Sequence, residues 1–237
     1  EFRRVLFRSF VSVGGAHVAS ENSTGLVAVG GQGREVSRED VERVTEVAKA
    51  VSIPSSREIL HVVPRDFTVD GQEGVKDPLG MIALRLEVET HIVSGAAPAL
   101  QNLSKCVKLA EVRVDELVAN GIASAEAVLT DTERDLGVAV ADIGAGTTDI
   151  VLFADGSPFH TAVLPLGGAN VTNDVAIGLK TSLAAAEELK IAAGTADTRS
   201  IDPDEPLDER FAELLEGRLP RRYDLAFCIE ERMREIF

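Results

Sequence analysis

The chain has 237 residues, with 24 Lys+Arg against 39 Asp+Glu, a formal charge of −15, 45% hydrophobic and 27% charged residues. That length buries a core without disulfide staples, while the acidity, the single Tyr and the absence of Trp exclude a nucleic-acid binder, which needs clustered cations and stacking platforms. Cys106 and Cys228 stand far apart without Cys-x-x-Cys spacing, which excludes a zinc knuckle and fits a reducing compartment, and no apolar run approaches the ~20 residues of a membrane span.

Residues 1–9, EFRRVLFRS, carry three Arg and one Glu and have neither the apolar stretch nor the cleavage site of a secretory signal. They read as a cloning or assembly scar, and setting them aside moves the charge from −15 to −17. Residues 10–18 and 25–29 are short β-rich runs separated by a turn at 21–24. Ser37 offers an N-cap, and Val41, Val44, Ala48 and Val51 recur at helical spacing up to Pro54. Strands are expected at 58–69 and 83–93, joined by a Gly/Asp/Pro-rich loop at 70–80. This strand–strand–helix–strand–strand order predicts one α+β unit. A helix follows at 98–110 with Leu100, Leu103 and Val107 on one face and Cys106 on its apolar side, then a strand at 115–119 and an Ala-rich helix at 123–129. Apolar strands are expected at 137–141, 150–153 and 161–166, and helices at 172–179 and 183–192. Residues 195–209, acidic and Pro-containing, read as a solvated loop. The chain stops inside a helical pattern at 229–237 and reads as a piece of a longer protein. His17, His61, His91 and His160 are scattered without metal-ligand spacing.

The chemistry lies in residues 137–153, GVAVADIGAGTTDIVLF. The strand before the turn is apolar on both faces, as buried central strands are. Gly144 and Gly146 permit positive φ and close approach of backbone N–H groups to a ligand, and Thr147 and Thr148 add hydroxyl donors. Such a nest suits phosphate. Asp142, at the strand end, would hold Mg²⁺ directly or through water. A bare Gly-x-Gly between strands is also an ordinary hairpin turn. A Walker loop or dinucleotide fold needs a helix after the turn, and here a strand follows.

Strand–DxGxGTTD–strand resembles the second phosphate hairpin of the actin, hexokinase and DnaK-type ATPase superfamily. The runs VGGAHVASENSTGLVAV (13–29), HVVPRDFTVDGQEGVKDPLGM (61–81) and LPLGGANVTNDVAIGLKTSLAAAEELK (164–190) narrow the resemblance to the bacterial cell-division family FtsA, over residues 10–193. The fold it implies is α/β, an actin-like (ribonuclease-H-like) ATPase fold, partial, with an inserted α+β subdomain of SHS2 type. Residues 10–95 would be that insertion, 96–136 the closing part of the first actin-like half, and 137–237 the second half, incomplete.

The resemblance implies an ATP-binding scaffold of the septum that tethers FtsZ polymers to the inner membrane face and self-associates into filaments. Residues 10–95 would recruit later division proteins, and membrane attachment would come through a C-terminal helix absent from this chain. The cofactors would be ATP and Mg²⁺, faced by Asp142, Gly144, Gly146, Thr147 and Thr148, with Glu187 and Lys190 at ribose and adenine. Glu187 and Lys190 also fit a plain helical i,i+3 ion pair. The run RLPRRYDLAFCIEERMREIF (218–237) is similar to the part that receives the FtsZ C-terminal peptide, so Arg221 and Arg232 would pair with its carboxylates. An ordinary charged helix face, with Glu230, Glu231 and Glu235 as partners, is the other reading. No catalytic residue is assigned. Gly121-Ile122 stand where turnover-competent relatives carry a water-orienting Glu or Gln, so at most slow ATP turnover is expected in the full-length protein and none in this chain alone. The alternatives are a PilM-type pilus-assembly scaffold and a sugar-kinase-like phosphotransferase. The second lacks a visible catalytic Asp beside a sugar pocket.

Overall fold

The structure is a computed structural model that describes residues 8–31, 33–50 and 53–237. Residues 1–7 and Val51 lie outside that description. The chain divides into two units, one of residues 1–142 and 149–164 and the other of residues 143–148 and 165–237.

The first unit is built around a four-stranded sheet of order β2-β7-β4-β5, from β2 (Ala19–Ala28), β4 (Arg57–Val69), β5 (Gln72–Val75) and β7 (Arg85–Ala96). All its pairings are antiparallel. Helix α1 (Arg38–Lys49) covers one face, and Val44 and Ala48 pack with Val27, Phe67, Leu86 and Val88. A capping box starts this helix: Asp40 N–H donates to Ser37 Oγ at 3.3 Å, and Ser37 N–H donates to Asp40 Oδ2 at 3.0 Å. Asp40 is fully buried and bridges Arg34 and Arg43. The Arg34 hydrogen bond, helped by Ser37, holds its carboxyl well below the usual range.

The turn expected at 21–24 is instead the middle of β2, paired residue for residue with β7. Its polar side chains find partners in the fold: Ser23 Oγ donates to Ala48 O at 2.8 Å, and Asn22 Oδ1 lies 2.7 Å from His91 Nδ1. Pro64 sits inside β4 without breaking the sheet. There β4 pairs only with β7, because β5 reaches no further than Phe67–Val69, and the register shifts beside it. The 70–80 loop contains β5. Two-residue strands β3 (Arg34–Glu35) and β6 (Ile82–Ala83) pair beside the sheet.

The rest of this unit contains a parallel pair, β1 (Arg8–Val13) with β8 (Arg113–Ala119). Residues 8 and 9, set aside from the sequence as part of a scar, are thus the first two of β1. Helix α2 (Ala97–Leu109) precedes β8, with Leu100 buried in a cluster with Val13, Val93 and Ala119. Cys106 is exposed, not on the apolar side of α2. Helix α3 (Asn120–Val128) leaves β8 directly, and α4 (Asp131–Leu136) leads to a three-stranded sheet of order β11-β10-β9. Its strands are β9 (Val138–Ile143), β10 (Thr148–Ala154) and β11 (Ser157–Leu164). Gly121 lies against β10, where a Cβ would come 2.5 Å from Val151 Cγ2.

The second unit is helical: α5 (Gly168–Leu179), α6 (Leu183–Ala193) and α7 (Arg222–Ile236) enclose a core of Val171, Val175, Leu179, Leu189, Leu225 and Ile229. Residues 195–209 are mostly exposed, as expected of a solvated loop, but the tract is anchored to the unit. Ile201 and Leu207 are buried, short 3-10 turns punctuate the tract, and Pro206 bridges to Arg221.

Candidate functional site

Between β9 and β10 the chain reverses in four residues, closed by Gly144 N–H donating to Thr147 O at 2.8 Å. Neither Gly144 nor Gly146 has a positive φ, so left-handed backbone is not the reason for glycine there. At Gly146 a Cβ would meet nothing within 4 Å, so no clash within the fold demands glycine there either. The turn's carbonyls face the other way and cap α5. Gly168 N–H donates to Gly144 O at 3.0 Å and Ala169 N–H to Ala145 O at 2.8 Å. The first amides of a helix need partners, and here two are fixed to the turn. Gly167 makes this approach possible, since its Cβ would come 2.5 Å from Gly144 O and 2.7 Å from Ala145 O. Asn170 Oδ1 completes the junction by accepting from Gly167 N–H at 2.9 Å.

Beside that junction the second unit holds a cleft of about 510 Å³, lined by Ala145 of the turn, Gly168 and Thr172 of α5, and Leu183, Glu187 and Lys190 of α6. Ser182 caps α6 by accepting from Ala185 N–H at 3.2 Å, which fixes the helix that carries the last three. Lys190 Nζ lies 2.7 Å from Glu187 Oε2, donates to Thr172 Oγ1 at 2.8 Å and reaches Gly168 O at 3.2 Å. Thr172 Oγ1 also hydrogen-bonds Glu187 Oε2. The Lys190 and then the Thr172 hydrogen bonds lower the Glu187 pKa below its ordinary value. The i,i+3 ion pair is therefore present, but it is tied through Thr172 to α5 and lines a cavity.

Of the residues that the sequence singles out, the second unit brings together the turn of Gly144, Gly146 and Thr147 with the helix α5 junction, and Glu187 with Lys190. Thr148 is buried, and its hydroxyl donates to Leu166 O at 2.8 Å. Asp142 belongs to the first unit, where Ser124 of α3 donates to its Oδ2 at 2.6 Å. Arg221 lies at the start of α7 and chelates Asp224 at 3.1 and 2.7 Å. Arg232 reaches across to Asp174 of α5 at 2.6 and 3.1 Å and also pairs with Glu235. The sequence does not single out Thr172, Gly167 or Ser124. Gly167 stands in the quoted GG pair, but nothing local says that its Cβ would collide with Gly144 and Ala145 of a remote turn.

Two family models match the chain: one described as "SHS2 domain inserted in FTSA" over residues 15–94, and one described as "Cell division protein FtsA" over residues 139–225. The first falls on the four-stranded sheet with α1, the second on the hairpin, the cleft and most of the helical unit. Curated relatives agree. The chain is 42% identical over 231 residues to "Cell division protein FtsA" of Pseudomonas aeruginosa, covering 93% of this chain and 55% of that protein. It is 44% identical over 230 residues to the protein of the same name from Borreliella burgdorferi, with 96% and 55% covered.

The chain belongs to the FtsA family.

Against the Escherichia coli FtsA the identity is 36% over 230 residues, covering 96% of this chain and 54% of that one. The chain thus spans about half the length of the curated FtsA proteins it matches. Among solved structures, one titled "PilM-PilN type IV pilus biogenesis complex" superimposes with a TM-score of 0.50 at 20% identity, over 92% of this chain and 53% of that chain. At that identity it speaks to the fold alone. The fold class is the α/β actin-like one with an SHS2 insertion, as the FtsA resemblance implies.

Proposed function

We propose that the chain is part of an ATP-binding FtsA scaffold of bacterial cell division. In this reading the turn at 144–147 faces the phosphates and the cleft beside it receives the nucleoside. The observation that carries the proposal is the cleft itself: a cavity of nucleotide dimensions where the turn, α5 and α6 meet, with an ionised carboxylate in its wall. An ionised Glu187 accepts hydrogen bonds and donates none, which suits ribose hydroxyls.

The donor set also fits the metal. Among the described residues no three His, Cys, Asp or Glu are clustered to hold an ion. Mg²⁺ does not require such a cage, since it uses one or two carboxylates plus phosphate oxygens and water. Asp142, held by Ser124, is the carboxylate assigned to it. Bound Mg²⁺ would neutralise phosphate charge. Nucleotide acts in this proposal as a conformational and assembly ligand. Gly121 is packed too tightly against Val151 to be replaced by a water-orienting side chain, and Glu126 is paired with Arg134 at 2.8 Å.

The wider role follows the family. Residues 10–95 would contact neighbouring subunits and later division proteins, and residues 96–136 and 137–237 would belong to the two actin-like halves. Arg221 and Arg232 would receive the FtsZ C-terminal peptide. No helix among the described residues is long and apolar enough to cross a membrane. Placement on the inner membrane face belongs to the same family reading. Steady-state phosphate release, measured in a protein with the full length of the relatives, tests the nucleotide role. Turnover well below one per second, with Mg-ATP binding weakened at least tenfold by Asp142→Ala, is expected. Brisk turnover, or binding indifferent to Asp142→Ala, would contradict it.

A further inference from the structure

We propose that Asp174 is a resident competitor at the α7 arginine site: its carboxylate occupies the guanidinium that an incoming acidic peptide would use, and so sets the affinity for that peptide. This rests on the reading of Arg221 and Arg232 as peptide contacts.

Every arginine between 221 and 234 is already paired within the second unit. Arg221 holds Asp224, Arg222 holds Glu205 at 3.2 Å, Arg232 holds Asp174 and Glu235, and Arg234 holds Glu230 and Glu231. A carboxylate arriving from outside meets no spare cation there, only cations to be exchanged. Arg232 is where exchange is most demanding. Its Nε and Nη2 face the two oxygens of Asp174, the fork geometry that a peptide carboxylate would itself adopt, and Nη1 is taken by Glu235.

Asp174 is also the member of the set that can be removed most cleanly. Arg221 and Arg234 are tied to neighbours on their own helix, whereas Asp174 comes from α5. The α5–α7 contact has a separate apolar basis in Val171, Val175, Leu225 and Ile229. The side chains of Asp174 and Arg232 are 30% and 23% exposed, so water and a peptide can reach the pair. A partly exposed ion pair of this kind adds little to folding beside the apolar contact, and its loss leaves the helices packed.

The experiment is fluorescence anisotropy of a labelled synthetic FtsZ C-terminal peptide against the whole 237-residue chain, at low and moderate salt. Asp174→Asn should bind about fivefold more tightly than wild type, as expected for releasing one partly exposed pair. Asp174→Glu, which restores the charge, should return affinity to the wild-type value, and Arg232→Ala should lose binding. Thermal unfolding monitored by circular dichroism confirms that each variant is folded. If Arg232→Ala loses binding while Asp174→Asn binds equally or more weakly, Asp174 is no competitor and the inference fails alone. If wild type and Asp174→Asn both fail to bind, or Arg232→Ala binds like wild type, the peptide reading falls and takes the inference with it.

Discussion

The ammonium of Lys190 has three N–H donors and three acceptors beside it: Glu187 Oε2, Thr172 Oγ1 and Gly168 O. It is saturated by the protein, so in the proposed site it anchors Glu187 and braces α6 against α5 without being a free cation for phosphate. His91 shows the same logic in the first unit. It is fully buried in β7, with Nδ1 2.7 Å from Asn22 Oδ1 and Nε2 2.9 Å from Thr161 Oγ1. Burial first, then Arg65, His160 and His61 nearby, push its pKa down to about 4. A histidine that titrates lower folded than unfolded supports the fold fully above its unfolded pKa of ~6.5, and that support is lost as pH falls towards the folded value. The urea midpoint of the first unit should therefore decline between pH 6.5 and 4, and decline less in His91→Gln. A wild-type midpoint that is flat across that window would count against the buried neutral ring.

At the scale of elements, the turn and α5 meet backbone to backbone, closer than a Cβ at Gly167 would allow. Gly167 has extended backbone, φ −173°, so any residue tolerates its conformation, and only the space is denied. Gly167→Ala should cost about 1–3 kcal/mol, because the obstructing atoms are backbone carbonyls that cannot swing away. A thermal midpoint unchanged from wild type would mean that the turn and α5 are not clamped as described. This junction also explains which elements were legible beforehand. Helix α1 announces itself locally, with Ser37 as cap and Val44 and Ala48 at helical spacing, and the structure starts it there. Helix α5 starts at Gly168, four residues before the apolar pattern at Thr172 predicts, because its cap is a turn remote in sequence and Gly-Gly reads as a loop. The polar run of β2 looks like a turn for a related reason. The side chains of Ser23, Asn22 and Ser20 are satisfied by α1, β7 and β11, and no window of sequence shows those partners. The hairpin was legible as a motif, but Thr172, which locks Glu187 to Lys190, was not. It reads only as one more residue in an amphipathic helix.

For the whole molecule, the charge of −15 shapes the reading of α7. In an acidic chain the arginines find carboxylates of their own, as Arg221 does in Asp224 and Arg232 in Asp174 and Glu235, so under the peptide proposal a ligand has to exchange with them. The SHS2 match on the first unit and the FtsA match across the hairpin and the helical unit tie the two parts to one family, over about half the length of its curated members. The central claim is that the cleft between turn, α5 and α6 receives the nucleotide. Photolabelling with 8-azido-ATP in a protein of the relatives' full length, mapped by mass spectrometry, tests it most directly. The account predicts label in peptides from residues 168–190, removed by excess ATP and strongly reduced by Glu187→Ala. Label falling outside the second unit, or undiminished by Glu187→Ala, would contradict it.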